Sequence, residues 1–250
     1  MQTAANAVFC FSEYPTQFPE KFIKKRMCGE IIKRYYIGEK EEYMLYFEGV
    51  NSYEELPKSI QSHLSANKEV LKERATCKNE GRVWWRYSRP MHKEYYHLNK
   101  IWCSYRSQKN EFVLDESSDY IGLTNTTVIF DTNPDLSLKY LLALLNSSLL
   151  TYRYKSIGKQ TGNGVREYFE TGVGKLPIPK ASTAQQEALA NLADQMMIAV
   201  KKQQEAVSEQ DKRIADMRVE AIDKQINQKV YELYGITDPK DIAVIEGISE

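Results

Sequence analysis

From Thr183 to Tyr234 the chain contains neither glycine nor proline. Just before that run, GKLPIPKA (174–181) places prolines at alternate positions, 177 and 179. Such a pair holds the backbone extended and stops any regular ladder, so the segment marks a boundary. The run itself is rich in Ala, Gln, Glu, Lys and Met, which favour helix. Leu189, Leu192, Met196 and Val200 recur at helical spacing, as do Ile222, Ile226, Val230 and Leu233. Ser182 or Thr183 suits the helix start and Gly235 its stop. One rod of about fifty residues would be roughly 75 Å long. The reading expected is two antiparallel helices that turn near residues 207–212.

The first 180 residues read differently. YMLYFEGV (43–50), RVWWRY (82–87), KIWCSYR (100–106) and TTVIFD (126–131) are short runs of aromatic and β-branched residues, the signature of strands. Helical spacing appears at Ile60, Leu64 and Leu71 within 55–75, and again across LSLKYLLALLNSSLLTYRY (136–154). The fold class expected is α+β: a mixed, strand-rich domain over 1–180 followed by a helical pair over 181–250.

The formal net charge is zero, but it is unevenly distributed. Residues 1–110 carry 19 Lys/Arg against 13 Asp/Glu, and residues 151–180 carry 6 against 2. Residues 111–150 carry 1 against 6, and residues 181–250 carry 8 against 13. A zero total therefore hides two basic regions. The four cysteines, at 10, 28, 77 and 103, form no CxxC pair, so neither a zinc site nor a disulfide framework is indicated. No signal peptide and no apolar stretch of membrane-spanning length is visible, and a cytoplasmic location is expected.

Several chemistries fail on spacing. GKQT (158–161) lacks the glycine five positions earlier that a phosphate loop needs, because residue 153 is Arg. The glycines at 158, 162, 164, 172 and 174 do not form a GxGxxG dinucleotide or S-adenosylmethionine loop. Asn133-Pro134-Asp135-Leu136 lacks the second proline and the aromatic of an amino-methyltransferase motif. His63, His92 and His97 have no acidic partner at motif spacing, and no GxSxG is present. No catalytic and no metal-binding residue is assigned.

Two basic, aromatic, glycine-bearing segments remain. One comprises KRYYIGEK (33–40) and GRVWWRYSRP (81–90); the other is TYRYKSIGKQTGNGVREYF (151–169). Arg and Lys neutralise phosphates, Arg matches the guanine edge, and Gln or Asn matches adenine. The candidate DNA contacts are Arg34, Arg82, Trp85, Arg86, Arg89, Arg106, Arg153, Lys155, Lys159, Gln160, Asn163 and Arg166. Of Trp84 and Trp85, one is expected to anchor in the core and the other to shape the basic face. A glycine-rich basic loop is also a common solvated turn, so composition alone leaves both readings open.

In order along the chain, RMCGEIIKRYYIG (26–38), HLSANKEVLKERA (63–75), WWRYSRP (84–90), KIWCSYRS (100–107), YLLALLNSSLLTYRYK (140–155), LPIP (176–179) and VYELYGITDPKDIAVIEG (230–247) are similar to the TaqI-like C-terminal specificity domain. That domain is the target-recognition domain of type IIG restriction–modification enzymes and related adenine-specific DNA methyltransferases. The combination of LLNS, then LPIP, then YELYG carries the resemblance. The chain departs from the family's usual Gly-Lys/Arg-Asp, reading Gly29-Glu30-Ile31.

The resemblance implies a non-catalytic reader of double-stranded DNA in a bacterial or archaeal cytoplasm. It implies a methyltransferase domain, in the same or a partner chain, that supplies S-adenosylmethionine, while this chain holds no cofactor. The acidic helical tail is expected to pack against that domain, act as a spacer, or form a homodimer. Two rivals belong to other classes: a protein-interaction module docking a methyltransferase through its helix pair, and a small metal-dependent nuclease.

Overall fold

A computed structural model describes residues 1–247; residues 248–250, at the end of the segment expected to be helical from 181, lie outside the described residues. Among the described residues the architecture is α+β, with four small sheets and helices concentrated after residue 138. The chain folds into two compact units.

The first unit comprises residues 1–28, 39–98 and 117–126. Its sheet runs in the order Cys10–Phe11, Tyr43–Leu45, Ile23–Met27, Tyr120–Gly122, antiparallel except for the last pairing, which is parallel. Aromatic rings fill its core: Tyr87 lies 5.1 Å from Phe9 and 5.0 Å from Phe47, centroid to centroid. The helix expected over 55–75 is two helices, Lys58–Ala66 and Lys68–Lys72, broken at Asn67. Asn67 turns its side-chain amide back onto the His63 carbonyl at 2.9 Å, a local bond that competes with helix propagation.

RVWWRY is not a strand, contrary to its composition. Residues 82–87 form a turn whose carbonyls are held from outside by Arg74. A side chain supplies here the donors that a neighbouring strand would give, so β-propensity is overridden.

Of the described residues, the second unit takes 29–38, 99–116 and those from 127 onward. Lys100–Ser104 pairs antiparallel with Phe112–Asp115 and also lies beside Thr126–Phe130. The helix expected over 136–154 is again two, Leu138–Leu145 and Ser148–Ile157. The break falls at Asn146-Ser147. The Asn146 side chain brackets Phe112, accepting from its amide and donating to its carbonyl, both at 2.9 Å. Ser147 caps the second helix by accepting from the Leu150 amide at 3.2 Å.

The long helices are Thr183–Glu205 and Glu209–Tyr234, with their turn at 206–208. Ser182 starts the first with a reciprocal capping box to Gln185, and Gly235 ends the second in the left-handed region. A short third helix, Pro239–Glu246, comes after them. The buried faces of the two long helices, including Leu189, Met196, Ile226 and Val230, share one core with Ile101, Phe112 and the Leu138–Leu145 helix. Among the described residues no helix is long and apolar enough to cross a membrane.

Candidate nucleic-acid interface

The second basic segment folds into a helix followed by a hairpin. The Ser148–Ile157 helix ends at Gly158, where a Cβ would run into the Tyr154 ring. The chain then forms the strands Lys159–Gly162 and Val165–Glu167, which pair antiparallel with each other, and the second pairs with Arg106–Ser107. At the tip, Gly162, Asn163 and Gly164 have φ of 122°, 46° and 74°. Three successive positive-φ residues explain two of the glycines and the choice of Asn between them.

Register sorts the side chains into two rows. Lys159, Glu167 and Arg106 are directly opposite one another, as are Gln160, Arg166 and Ser107. Opposed residues share a face of the sheet. In the first row, Glu167 accepts from Arg106 Nη2 through Oε1 and from Lys159 Nζ through Oε2, each at 3.1 Å. These hydrogen bonds hold the Glu167 carboxyl below the usual carboxylate range. In the second row, Arg166 donates through Nε to the Lys155 carbonyl at 3.2 Å and through Nη1 to the Gly164 carbonyl at 3.1 Å. A guanidinium thus covers an end carbonyl of the preceding helix, where the helix dipole favours positive charge.

Around this hairpin stand Arg153, which bonds the Ser156 hydroxyl at 3.1 Å, and Lys155, which is exposed and makes no ion pair among the described residues. Gln160 and Asn163 are exposed at the far edge, and Gln108 donates to the Asn163 carbonyl at 3.2 Å. The fold therefore brings Arg106, Arg153, Lys155, Lys159, Gln160, Asn163 and Arg166 to one corner of the second unit. Below the corner, Tyr154 and Tyr168 stack at 4.3 Å with 10° between their planes, and Tyr154 Oη donates to the Glu167 carbonyl at 2.8 Å.

Arg34 lies elsewhere in the same unit. It bonds the Asn146 carbonyl, just before the helix whose other end carries the hairpin, and it pairs with Asp223. Its guanidinium is committed to bracing the fold.

The first basic segment belongs to the first unit. Trp85 is buried at 6% exposure, whereas Trp84 is half-buried, with Lys68 Nζ 5.2 Å from its ring. Arg86 lies over the Trp85 ring at 4.5 Å and donates to the carbonyls of Val50 and Asn51 at 2.6 and 3.0 Å. Arg82 and Arg89 share Glu80, at 3.2 and 2.6 Å.

One residue organises this segment and escapes sequence reasoning. Arg74 is buried and donates to the carbonyls of Thr3, Leu71, Trp84 and Arg86. It looks like a surface cation at the end of an amphipathic stretch. Only the preceding apolar Leu71 and the aromatic run that it serves hint otherwise. The His63 ring pairs with the Val8 carbonyl at 2.8 Å between Phe11 and Phe18, a packing role. Among the described residues no cluster of three or more His, Cys, Asp or Glu side chains is arranged to hold a metal ion.

A family model for the TaqI-like C-terminal specificity domain matches residues 24–178. No curated protein matches the chain. Among solved structures, the Type IIL restriction-modification enzyme MmeI in complex with DNA is similar in fold, with a TM-score of 0.68 at 14% sequence identity. The match covers 98% of this chain and 34% of that one, so this chain spans about a third of the length of the enzyme it resembles.

Proposed function

The chain belongs to the TaqI-like C-terminal specificity domain family, and on that premise we propose that it reads double-stranded DNA for a restriction–modification methyltransferase, without catalysis of its own. The observation that carries this reading is the corner built from the Ser148–Ile157 helix and the 159–167 hairpin. There Arg106 and Lys159 hold one carboxylate, Glu167, in one row of the hairpin sheet, Arg166 stands in the other row, Arg153 and Lys155 are exposed on the preceding helix, and the amides of Gln160 and Asn163 are exposed. Cations that meet phosphates set register and supply affinity, while amide and guanidinium groups at base edges supply discrimination. In the first unit, Arg82, Arg86 and Arg89 form the second basic contact, with Trp85 as the buried support beneath Arg86.

In this proposal residues 1–180 carry recognition. The 181–250 tail, whose two long helices share the core of the second unit, acts as spacer or docking surface toward a methyltransferase domain in the same or a partner chain. That domain binds S-adenosylmethionine, and the assembly works in a bacterial or archaeal cytoplasm.

Docking as the main role is the second reading, and one observation favours it. Ile198, Val207, Ile214 and Met217 are exposed around the turn of the long helix pair, Val207 completely. Exposed apolar side chains grouped in this way suit a partner protein or a second copy of the chain.

The test is fluorescence anisotropy of a mixed-sequence duplex from about 50 to about 200 mM salt, a range over which DNA binders lose affinity steeply. Arg153→Ala with Lys155→Ala is expected to weaken binding and flatten the salt dependence. No binding at the lowest salt, with a dimer or methyltransferase complex that Val207→Glu disrupts, would replace this reading with the docking one.

A further inference from the structure

The acidic residue in the middle of the basic corner is costly for a surface whose task is to attract phosphate. Glu167 sits between Arg106 and Lys159 on three adjacent strands, and each of its carboxylate oxygens holds one of them at 3.1 Å. Its side chain is only 7% exposed, whereas Arg106 and Lys159 are 63% and 68% exposed. An approaching duplex meets the two cations and not the carboxylate. The main-chain carbonyl of Glu167 accepts from the Tyr154 hydroxyl, and the carboxylate itself is buried and held by both of its cations.

The consequence is orientation. An arginine held at Nη2 has lost its free rotation, and its remaining N–H donors point in one direction in a planar fork. A lysine held at one proton becomes a directed donor as well. Two unanchored cations would bind any phosphate they reached; two anchored ones suit a particular set of acceptors. Selectivity is a difference between affinities, and lowering the general attraction raises that difference.

We infer that Glu167 is a positioning residue that determines specificity: it gives up part of the non-specific attraction to hold Arg106 and Lys159 as a fixed pair of donors toward an acceptor-rich base edge, that of guanine, in the duplex groove. The inference rests on the DNA-reading function proposed above.

The experiment uses the whole chain and a randomised duplex library, with circular dichroism to check folding. The wild type is expected to enrich a defined motif. Glu167→Gln keeps the shape but removes the charge that holds both cations. It is expected to lose roughly tenfold or more discrimination at one or two motif positions, the scale of a good bidentate base contact. Affinity for a mixed-sequence duplex is expected to rise at the same time, with the salt slope steeper by about 0.9 for each additional phosphate contact. A residue that merely stabilised the hairpin would instead lower both quantities. Arg106→Lys keeps the charge and removes the fork. It is expected to lose the same motif positions without the gain in mixed-sequence affinity, and it serves equally if Glu167→Gln fails to fold.

The inference is overturned if both variants retain the wild-type motif, if Glu167→Gln lowers selective and mixed-sequence binding together, or if the wild type binds DNA without enriching any motif. A wild type that binds no duplex at the lowest salt overturns the DNA-reading function itself, and this inference with it.

Discussion

The guanidinium of Arg34 donates to the backbone carbonyl of Asn146 at 2.7 Å through Nη2 and at 3.1 Å through Nε. The same group pairs with Asp223 in the Glu209–Tyr234 helix. Asn227, one turn further along that helix, accepts from the Ser148 amide at 2.9 Å, and Asn110 donates to the Leu145 carbonyl at 2.6 Å. The helix break at Asn146-Ser147 is thus a polar hub that joins the 29–38 segment, the central sheet and the long helix pair. Two of the stretches behind the family resemblance, RYYIG and LLNS, meet here, and their contribution is architecture.

Arg34→Ala is expected to destabilise the chain by about 2–4 kcal/mol, because it strands the Asn146 carbonyl and leaves Asp223 without its cation. Arg34→Lys should recover less than half of the loss, since one ammonium cannot reproduce the guanidinium's three contacts. Urea unfolding measures both, and equal stability of the three proteins would refute the bracing role.

Gly158→Ala and Gly172→Ala are expected to cost about 1–3 kcal/mol each by overpacking. At both positions a Cβ would press on Tyr154, on its ring from Gly158 and on its hydroxyl at 2.7 Å from Gly172. The two costs should be non-additive in a double-mutant cycle, because both displace the same side chain. Thermal unfolding of the two single variants and the double variant tests this.

The carboxyl of Glu167 lies below its usual range, chiefly through its hydrogen bond from Arg106 and then that from Lys159. A depressed carboxyl stabilises the fold above its unfolded value and loses that contribution as pH falls through the folded value. The hairpin is therefore expected to be unchanged from neutral pH to about pH 5 and to loosen only below the ordinary carboxylate range, near pH 4. A carboxyl-carbon NMR titration should place its midpoint below those of exposed glutamates. In Arg106→Lys with Lys159→Ala the midpoint should move upward.

Arg74→Met is expected to cost roughly 3 kcal/mol or more, because four carbonyls lose a shared donor in a buried site. The turn carrying Trp84 and Trp85 should loosen. A red shift of tryptophan emission under native conditions, with weaker duplex binding, would report it. Unchanged emission would mean that the packing of Phe47 and Tyr53 on the two tryptophans holds the turn without Arg74.

Where the sequence was legible, local physics was in charge. The proline pair, the glycine-free run, the Ser182 cap and the Gly235 stop are signals complete within a few residues, and the helix pair obeys them. The fold class is readable for the same reason, whereas the basic segment after Gly158 reads as a glycine-rich loop and is in fact a paired hairpin. Non-local bonding hid the rest. The apolar periodicity of 136–154 runs straight through Asn146, and nothing nearby announces that this side chain is taken by Phe112. RVWWRY has strand composition, and only Arg74, eight residues upstream of Arg82, denies it a strand. Among the basic candidates, composition did not separate Arg34, Arg86 and Arg166, which serve backbone carbonyls, from the exposed Lys155.

The path of the chain between its two units governs how it is made. Residues 29–38 belong to the second unit, yet they emerge from a ribosome long before Asn146 and Asp223 exist. The strand Ile23–Met27 likewise waits for Tyr120–Gly122. The first unit lacks its last strand until residues 117–126 have emerged, about halfway along the chain, and the second lacks its core until the long helices follow, so the first is expected to close before the second. A product stopped at residue 180 would bare the apolar face of the Leu138–Leu145 helix and leave Arg34 without Asp223. Nascent chains of that length are natural clients for chaperones. The 159–167 hairpin, by contrast, starts and ends within nine residues, a span short enough to be replaced by another sequence without rerouting the chain.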